Sequence, residues 1–245
     1  MKILLIDIES SPNIADVWGL WNNNVSLSQL RESTRIISWA AKWHGEDAMM
    51  FESIMTGSQR SMIRKAHRLL DQADVVVSYN GINFDTKHLN REFLIHALPP
   101  PSPFKQVDLL RTVRAKFRFP SNKLDYVAGA LGIGTKLKHQ GHELWQACMA
   151  RDKDAWYTME AYNKQDVVLL EKLYVRLTPW IHNNANRSVH SGTECCPSCG
   201  GFDFQKRGFS LTAAGKYQRY QCTDCATWFR AARNLATSVP KFRGV

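Results

Sequence analysis

The chain has 245 residues, of which 44% are hydrophobic, and its formal net charge is +10. The hydrophobic content is typical of a packed protein and excludes a largely disordered chain. The positive charge favours a polyanionic partner, which composition alone does not identify. No apolar run approaches the length of a membrane span, and Asp7 interrupts the apolar start too early for a signal peptide. We therefore expect an intracellular, soluble protein without a membrane partner.

Hydrophobic patterns predict an α/β domain with a mixed sheet flanked by helices over residues 1–180. Strands are predicted at Lys2–Ile6, Arg35–Trp43, Ala48–Ile54, Asp74–Tyr79 and Lys105–Asp108. Helices are predicted at Ser58–Ala73, Phe84–Ala97, 109–117, 123–131, 141–150 and 153–177. The segment 14–31 has no clear period, and its Trp18 and Trp21 are interpreted either as packing residues or as substrate contacts.

The pattern changes after residue 180. Residues 181–194 are polar and aperiodic, which predicts a linker. A small cysteine-rich module is predicted at 195–230 and a basic tail at 231–245. Residues 181–245 contain nine Lys/Arg and three Asp/Glu, so this part carries +6 of the net charge of +10.

Four acidic residues lie where predicted elements meet. Asp7 and Glu9 end the first strand and, being two apart, project from the same face of it. Asp85 lies where a strand gives way to a helix, and Asp166 lies one turn after Tyr162 on a helix face that Leu169, Leu170 and Leu173 continue. Each has a structural alternative. Asp7 and Glu9 are then acids at a strand end that frays into solvent, and Asp85 is an acid favoured by a helix N-terminus. Asp166 is then a buried aspartate whose hydrogen bonds are satisfied.

Taken together, these carboxylates are hard oxygen ligands, which suit Mg²⁺ or Mn²⁺ better than zinc. Two such ions, roughly 3.5–4 Å apart, can hold a scissile phosphate and lower the pKa of an attacking water. The sequence therefore predicts a phosphodiesterase site, provided that the fold brings the acids together.

The acidic segments resemble the motifs of the DEDD superfamily of 3′–5′ exonucleases, which have the ribonuclease H-like fold. Asp7-Ile8-Glu9 is similar to the first motif, Asp-x-Glu. Asn80-Gly-Ile-Asn-Phe84-Asp85 is similar to the second motif in the form found in proofreading domains of family B DNA polymerases. Tyr162-Asn-Lys-Gln-Asp166 is similar to the third motif of the tyrosine (DEDDy) subgroup. The histidine subgroup would need histidine where Ala161 stands.

This resemblance covers about residues 1–177 and implies specific roles. Asp7, Glu9, Asp85 and Asp166 are expected to ligate two Mg²⁺ (or Mn²⁺) ions, and Tyr162 to orient the nucleophilic water. Asn80, Phe84 and Lys136 are expected to bind substrate near its 3′-terminal nucleotide. Tyrosine, with an ordinary pKa near 10, is a poor general base at neutral pH, so positioning is its expected role.

Five of the six cysteines lie between residues 195 and 225, and they include two Cys-x-x-Cys pairs, Cys196/Cys199 and Cys222/Cys225. Paired knuckles at about this separation predict one structural Zn²⁺ held by four thiolates. Cys195 is an alternative to Cys196, although only Cys196 has the two-residue spacing. Cys148 is interpreted as a small core residue.

The cysteine module resembles a zinc ribbon, with a strand at Tyr217–Cys222. Basic and aromatic residues alternate in its loop, a composition typical of single-strand binding: Lys206, Arg207, Lys216 and Arg219 with Phe202, Phe204, Phe209, Tyr217 and Tyr220. A ribbon that docks on another protein is the alternative.

The sequence thus predicts a cytoplasmic or nucleoid-associated 3′–5′ exonuclease that releases nucleoside 5′-monophosphates from single-stranded nucleic acid. DNA is favoured over RNA by the polymerase-like form of the motifs. The chain has no room for a polymerase domain, so proofreading would require a separate DNA polymerase or replication protein as partner. The alternatives are a structure-specific endonuclease or RNA-trimming exonuclease on the same fold, and a catalytically inactive nucleic-acid-binding subunit.

Overall fold

The computed structural model describes residues 1–182, 184–213 and 215–236. The chain divides into two units, Lys2–Tyr174 and the residues from Val175 onward together with Met1. Most of the predicted basic tail, 237–245, lies outside the described residues. Within the described ranges, no helix is long and apolar enough to cross a membrane.

The first unit contains a mixed five-stranded sheet. The strands of this unit are β1 (Ile3–Ser10), β2 (Ile14–Ala15), β3 (Leu30–Glu32), β4 (Ile36–Trp43), β5 (Met49–Ser53), β6 (Val75–Ser78) and β7 (Lys105–Asp108). The five-stranded sheet has the order β5-β4-β1-β6-β7, in which β1, β4 and β5 pair antiparallel while β6 and β7 run parallel to β1. The predicted α/β class with a mixed sheet is confirmed.

Helices cover both faces of this sheet. They are α1 (Gln59–Gln72), α2 (Asp85–Ile95), α3 (Leu109–Lys116), α4 (Leu124–Ala130), α5 (His142–Met149) and α6 (Lys153–Leu177). Ile6 and Ile8 of β1 pack in one core with apolar residues of α1 and α2. On the opposite side, residues of α5 and α6 form a second core with Ile37, and Cys148 is fully buried there as predicted.

The segment 14–31 differs from the prediction, because β2 and β3 pair as a short antiparallel ribbon with Ile14 opposite Glu32. Only five residues take part, too few to produce a recognisable alternation. Trp18 and Trp21, between the two strands, are 102% and 87% exposed, so the packing interpretation of these tryptophans is wrong.

The second unit contains α7 (Arg187–Ser191) and a three-stranded antiparallel sheet of β8 (Phe204–Thr212), β9 (Gly215–Cys222) and β10 (Trp228–Arg230), in the order β10-β9-β8. The predicted linker 181–194 therefore includes a short helix. Its signals are local: the Asn186 side chain accepts hydrogen bonds from the amides of Ser188 and Val189, and Gly192 ends the helix in a left-handed conformation.

Four cysteines cluster beside this sheet in a geometry that fits zinc. The Sγ atoms of Cys196 and Cys225 are 3.7 Å apart, as are those of Cys199 and Cys222. A disulfide requires about 2.05 Å. With Zn–S bonds of about 2.3 Å, the edge of a tetrahedral site is about 3.8 Å. The four thiols therefore match a Cys₄ zinc ribbon, and Cys195, which is not in the cluster, is not the alternative ligand.

We predict that Cys222→Ser lowers the zinc content from about one ion per chain toward zero and destabilises the second unit, because a segment with so small a core depends on its metal. Zinc stoichiometry by mass spectrometry measures the loss. Cys195→Ser is the matched control and should retain full zinc. Equal loss in both variants would contradict the assignment of the ligands.

Candidate active site

The site begins at the C-terminal end of β1, where Asp7 and Glu9 project from one face of the sheet. On the neighbouring strand they lie opposite Ala40 and Ser38. Because these side chains are small, α6 can approach this face closely. The strand register shifts between Glu9 and Ser10, so regular pairing ends directly after the second carboxylate.

Helix α6 supplies the third carboxylate. One oxygen each of Asp7, Glu9 and Asp166 lie within 4.8 Å of one another. Asn163, completely buried on the same helix, donates from Nδ2 to Asp7 Oδ2 at 2.8 Å and accepts a hydrogen bond from Ser38 Oγ at 3.2 Å. Asn163 thus fixes α6 and Asp7 relative to the sheet.

Asp85 reaches the site through the backbone of β1. Strand β6 pairs with β1 only as far as Leu5, so the amide of Ile8 has no strand partner on that side. Asp85, in the first turn of α2, takes this place: its Oδ1 accepts from Ile8 N at 3.2 Å. The acid therefore lies beside the strand segment between Asp7 and Glu9, although it is outside the 4.8 Å set.

Tyr162 and Lys136 border the carboxylates. Lys136 Nζ donates to Tyr162 Oη at 3.0 Å and forms an ion pair with Asp166 Oδ2. Rings of His139 and Trp145 pack edgewise on Tyr162, at centroid distances of 4.7 and 6.2 Å. The tyrosine ring is therefore held from several sides, with its hydroxyl beside Lys136.

Burial raises the pKa values of all four acids, and for Asp7 and Glu9 neighbouring acids add to the effect. Burial, followed by the charges of Glu9, Asp85 and Asp166, raises the pKa of Asp7 well above its usual value. Burial, followed by the charge of Asp166, raises the pKa of Glu9 to about 8, and burial raises that of Asp85 to about 7. Burial also raises the pKa of Asp166, although Lys136 opposes the shift. One lysine does not balance four carboxylates.

The donor set fits divalent cations. Asp166 Oδ1 is buried and has no hydrogen-bond partner within the part of the chain that the structure describes. A buried carboxylate oxygen without a donor is costly unless it binds a cation. Oxygen ligands without histidine or cysteine suit Mg²⁺ or Mn²⁺. Asp7, Glu9, Asp85 and Asp166 are therefore the residues that would hold such ions.

A loop after β6 presents Asn80 and leads into α2. Asn80 has a φ of 71°, a left-handed conformation that asparagine tolerates better than most residues. Asp108, buried at the end of β7, accepts from the amides of Asn80 at 2.9 Å and Leu110 at 3.0 Å. The next position, 81, requires glycine, because a Cβ there would lie 2.2 Å from Ser78 Oγ.

Of the three predicted substrate-binding residues, two line an open cavity of about 570 Å³ and Phe84 does not. Asn80 and Lys136 line it together with Asp7, and Arg114 and Lys123 add positive charge. Phe84, directly before Asp85, is 39% exposed and packs on His88 with ring centroids 4.5 Å apart. The cavity thus borders one carboxylate of the site together with three cations, a combination suited to a nucleotide phosphate.

Sequence reasoning missed Asn163 and Asp108. Asn163 carried a signal, since a polar amide next to Tyr162 on the buried face of α6 needs a partner. Asp108 carried another, since an aspartate between a strand and a helix is a typical N-cap. Neither signal indicates which distant residue is held, because that depends on the packing of β1, β6 and α6.

Comparisons with known proteins agree with this architecture. A family model described as RNase_H superfamily matches residues 28–178, more than half of the chain; the match excludes Asp7 and Glu9. A search of curated proteins found no match.

Among solved structures, the fold resembles the family B DNA polymerase from the hyperthermophilic archaeon Pyrobaculum calidifontis, with a TM-score of 0.54 and 18% sequence identity. The match covers 73% of this chain and 24% of the polymerase chain, so the protein corresponds to about a quarter of that polymerase. At this identity the likeness concerns the fold alone. The family match over more than half of the chain, together with the mixed sheet and its helices, shows that the protein belongs to the RNase H superfamily.

Proposed function

We propose that the protein is a divalent-metal-dependent 3′–5′ exonuclease that removes nucleoside 5′-monophosphates from single-stranded nucleic acid, with DNA favoured. Membership of the RNase H superfamily supports a nuclease. The observation that carries the finer proposal is the meeting of Asp7, Glu9 and Asp166 within 4.8 Å, with Asp85 bound to the strand between the first two.

In this proposal the four carboxylates hold the ions, and Asn163 keeps Asp7 in place. When bound, two divalent ions lower the pKa of the attacking water and stabilise the oxygen that leaves the phosphorus. The water oxygen bonds to phosphorus, the bond from phosphorus to the 3′-oxygen breaks, and that oxygen takes up a proton. The products are a nucleoside 5′-monophosphate and a strand shortened by one nucleotide.

Tyr162 acts by position in this scheme. Burial, followed by the charge of Asp166, raises the pKa of the Tyr162 hydroxyl above its ordinary value, so it remains protonated at neutral pH. Burial lowers the pKa of Lys136, but the charge of Asp166 and the contact with Tyr162 outweigh this and raise it, so the lysine stays cationic. A neutral hydroxyl and a fixed cation can orient water and phosphate but cannot remove a proton.

The cavity beside the acids would receive the terminal nucleotide. Arg114, Lys123 and Lys136 line it and can contact phosphate oxygens, and the exposed ring of Phe84 offers an aromatic surface to a base. The polymerase-like form of the second motif supports a 3′ terminus as the part that is bound. The likeness to a DNA polymerase favours DNA as substrate and a polymerase as partner.

We predict that Asp7→Ala slows degradation of a 5′-labelled single-stranded oligonucleotide by more than about 100-fold, since even residues that only support metal ligands cost about 10–100-fold when removed. The wild type should produce a ladder that shortens one nucleotide at a time from the 3′ end, and only when Mg²⁺ or Mn²⁺ is present. Binding of the oligonucleotide should remain largely intact in the variant.

Asp47→Ala, which removes an exposed aspartate from the turn between β4 and β5, is the matched control and should leave the rate unchanged. An unchanged rate in Asp7→Ala would refute the assignment of the site. A few discrete internal cuts would instead identify an endonuclease, and matched RNA and DNA substrates would establish the preferred polymer.

A second prediction concerns stability in the absence of Mg²⁺. Because the folded-state pKa values of Glu9 and Asp85 are about 8 and about 7, above their ordinary values, the folded state binds protons that the unfolded state has released. The stabilisation from these protons is present at acidic pH and is lost as the pH rises through about 8. The Tm of the Mg²⁺-free protein, with its zinc retained, should therefore fall between about pH 5 and about pH 8.

Added Mg²⁺ should restore the Tm at the alkaline end, because cations offset the repulsion between ionised acids. Replacing both residues, as Glu9→Gln with Asp85→Asn, should flatten the pH profile and weaken the effect of Mg²⁺. A Tm that rises with pH in the Mg²⁺-free wild type would contradict this prediction, because it would show that the protein itself stabilises the ionised carboxylates.

A further inference from the structure

The three strands of the zinc ribbon have an unusual charge pattern. β8, β9 and β10 contain five basic residues and no acid: Lys206, Arg207, Lys216, Arg219 and Arg230. A small sheet with one sign of charge attracts a polyanion. The strand register then decides which of these cations share a face with exposed aromatic rings.

Paired residues in neighbouring antiparallel strands project from the same face of a sheet. On one face, Phe204, Tyr220 and Phe229 pack together with ring centroids 5.4–5.5 Å apart, and Cys222 lies opposite Phe204. This is the face of the metal cluster, and its three packed rings are engaged with one another. They are therefore not the residues that contact bases, although the sequence grouped Phe204 and Tyr220 with the others.

The opposite face, which we call the Trp228 face, is formed by Gln205, Ser210, Thr212, Tyr217, Arg219, Gln221, Trp228 and Arg230. The Arg219 guanidinium lies over the Trp228 ring at 5.1 Å, and the Arg230 guanidinium lies over the Tyr217 ring at 3.9 Å. Trp228 is 51% exposed. Arg219 Nε also donates to the carbonyl of Arg207 at 2.9 Å, which holds this side chain across the sheet.

We propose that the Trp228 face binds single-stranded nucleic acid. Bases stack on Trp228 and Tyr217, the guanidinium groups of Arg219 and Arg230 contact phosphates, and Gln205 and Gln221 offer amides to base edges. The inference stands on the ribbon alone and does not require nuclease activity, although its ligand class matches the proposed substrate.

Two features favour a nucleic acid over a protein on this surface. The first is the sign of the charge: the three strands carry five basic residues and no acid, and a phosphate backbone offers matching negative charge along its whole length. Its cations are also preorganised against aromatic faces, the arrangement in which single strands are bound by stacking and charge together. An acidic protein partner is the competing outcome.

Fluorescence anisotropy of a labelled single-stranded oligonucleotide tests the proposal, with the full-length protein, zinc retained and no Mg²⁺ added. Trp228→Ala should weaken binding about tenfold, the effect of losing one stacked base. Arg230→Ala should weaken it as well and reduce the dependence of log Kd on log salt by about 0.7, the value for one phosphate contact on a single strand.

The face of the metal cluster provides a matched control, which is also a cation over an aromatic ring: Lys216 Nζ lies over the Phe209 ring at 4.0 Å. Phe209→Ala and Lys216→Ala should change the Kd by less than about twofold, although each removes the same kind of group. Arg230→Lys keeps the charge, so it should retain the salt dependence while losing part of the affinity.

Zinc content, measured for every variant, separates loss of binding from loss of folding. If Phe209→Ala and Lys216→Ala weaken binding as much as Trp228→Ala and Arg230→Ala do, the proposal is overturned in favour of unspecific attraction by net charge. Wild-type affinity in Trp228→Ala and Arg230→Ala would also overturn it and would point to protein docking. Because the assay needs no hydrolysis, its failure is distinct from a failure of the proposed exonuclease.

Discussion

Electrostatic repulsion at the end of β1 is the constraint on which the candidate site depends. Asp7, Glu9, Asp85 and Asp166 are brought together in a partly buried place where desolvation already disfavours their charged forms. Lys136 contributes one positive charge against four negative ones, which leaves the ionised cluster at −3. In the proposed site, two divalent cations would bring this sum to +1, and the single negative charge of a phosphodiester would then neutralise it. Metal and substrate would together balance the charge of the proposed site, which is a reason for its acids to persist in the core.

The topology of the sheet makes this arrangement possible. β1 is central and longer than β6, so its last residues extend beyond their parallel neighbour and leave the Ile8 amide to Asp85. Alternation along β1 sends Ile6 and Ile8 into one core and Asp7 and Glu9 toward α6. The same strand therefore anchors the fold with one face and contributes two acids to the candidate site with the other. Asn163 joins the two functions, because it is buried in the helix–sheet interface and holds Asp7.

Features set by short-range periodicity could be predicted from the sequence. The alternation at Asp7 and Glu9, the one-turn spacing of Tyr162 and Asp166, and the paired Cys-x-x-Cys knuckles follow from local geometry. The contact of Asp85 with Ile8 depends on where β6 stops, and the role of Asp108 depends on the neighbouring loop. In the ribbon, the irregularity between Lys206 and Phe209 sets which rings share a face, so composition alone grouped packed and open aromatics together. The sequence could not supply the alignment of strands and loops that are distant in the chain.

Anomalous diffraction from crystals grown with Mn²⁺ tests most directly whether the four carboxylates bind divalent ions. We expect two anomalous peaks within coordination distance of Asp7, Glu9, Asp85 and Asp166, both absent from crystals of Asp7→Asn with Asp166→Asn. A Mn²⁺-saturated crystal without peaks at these carboxylates would contradict this expectation.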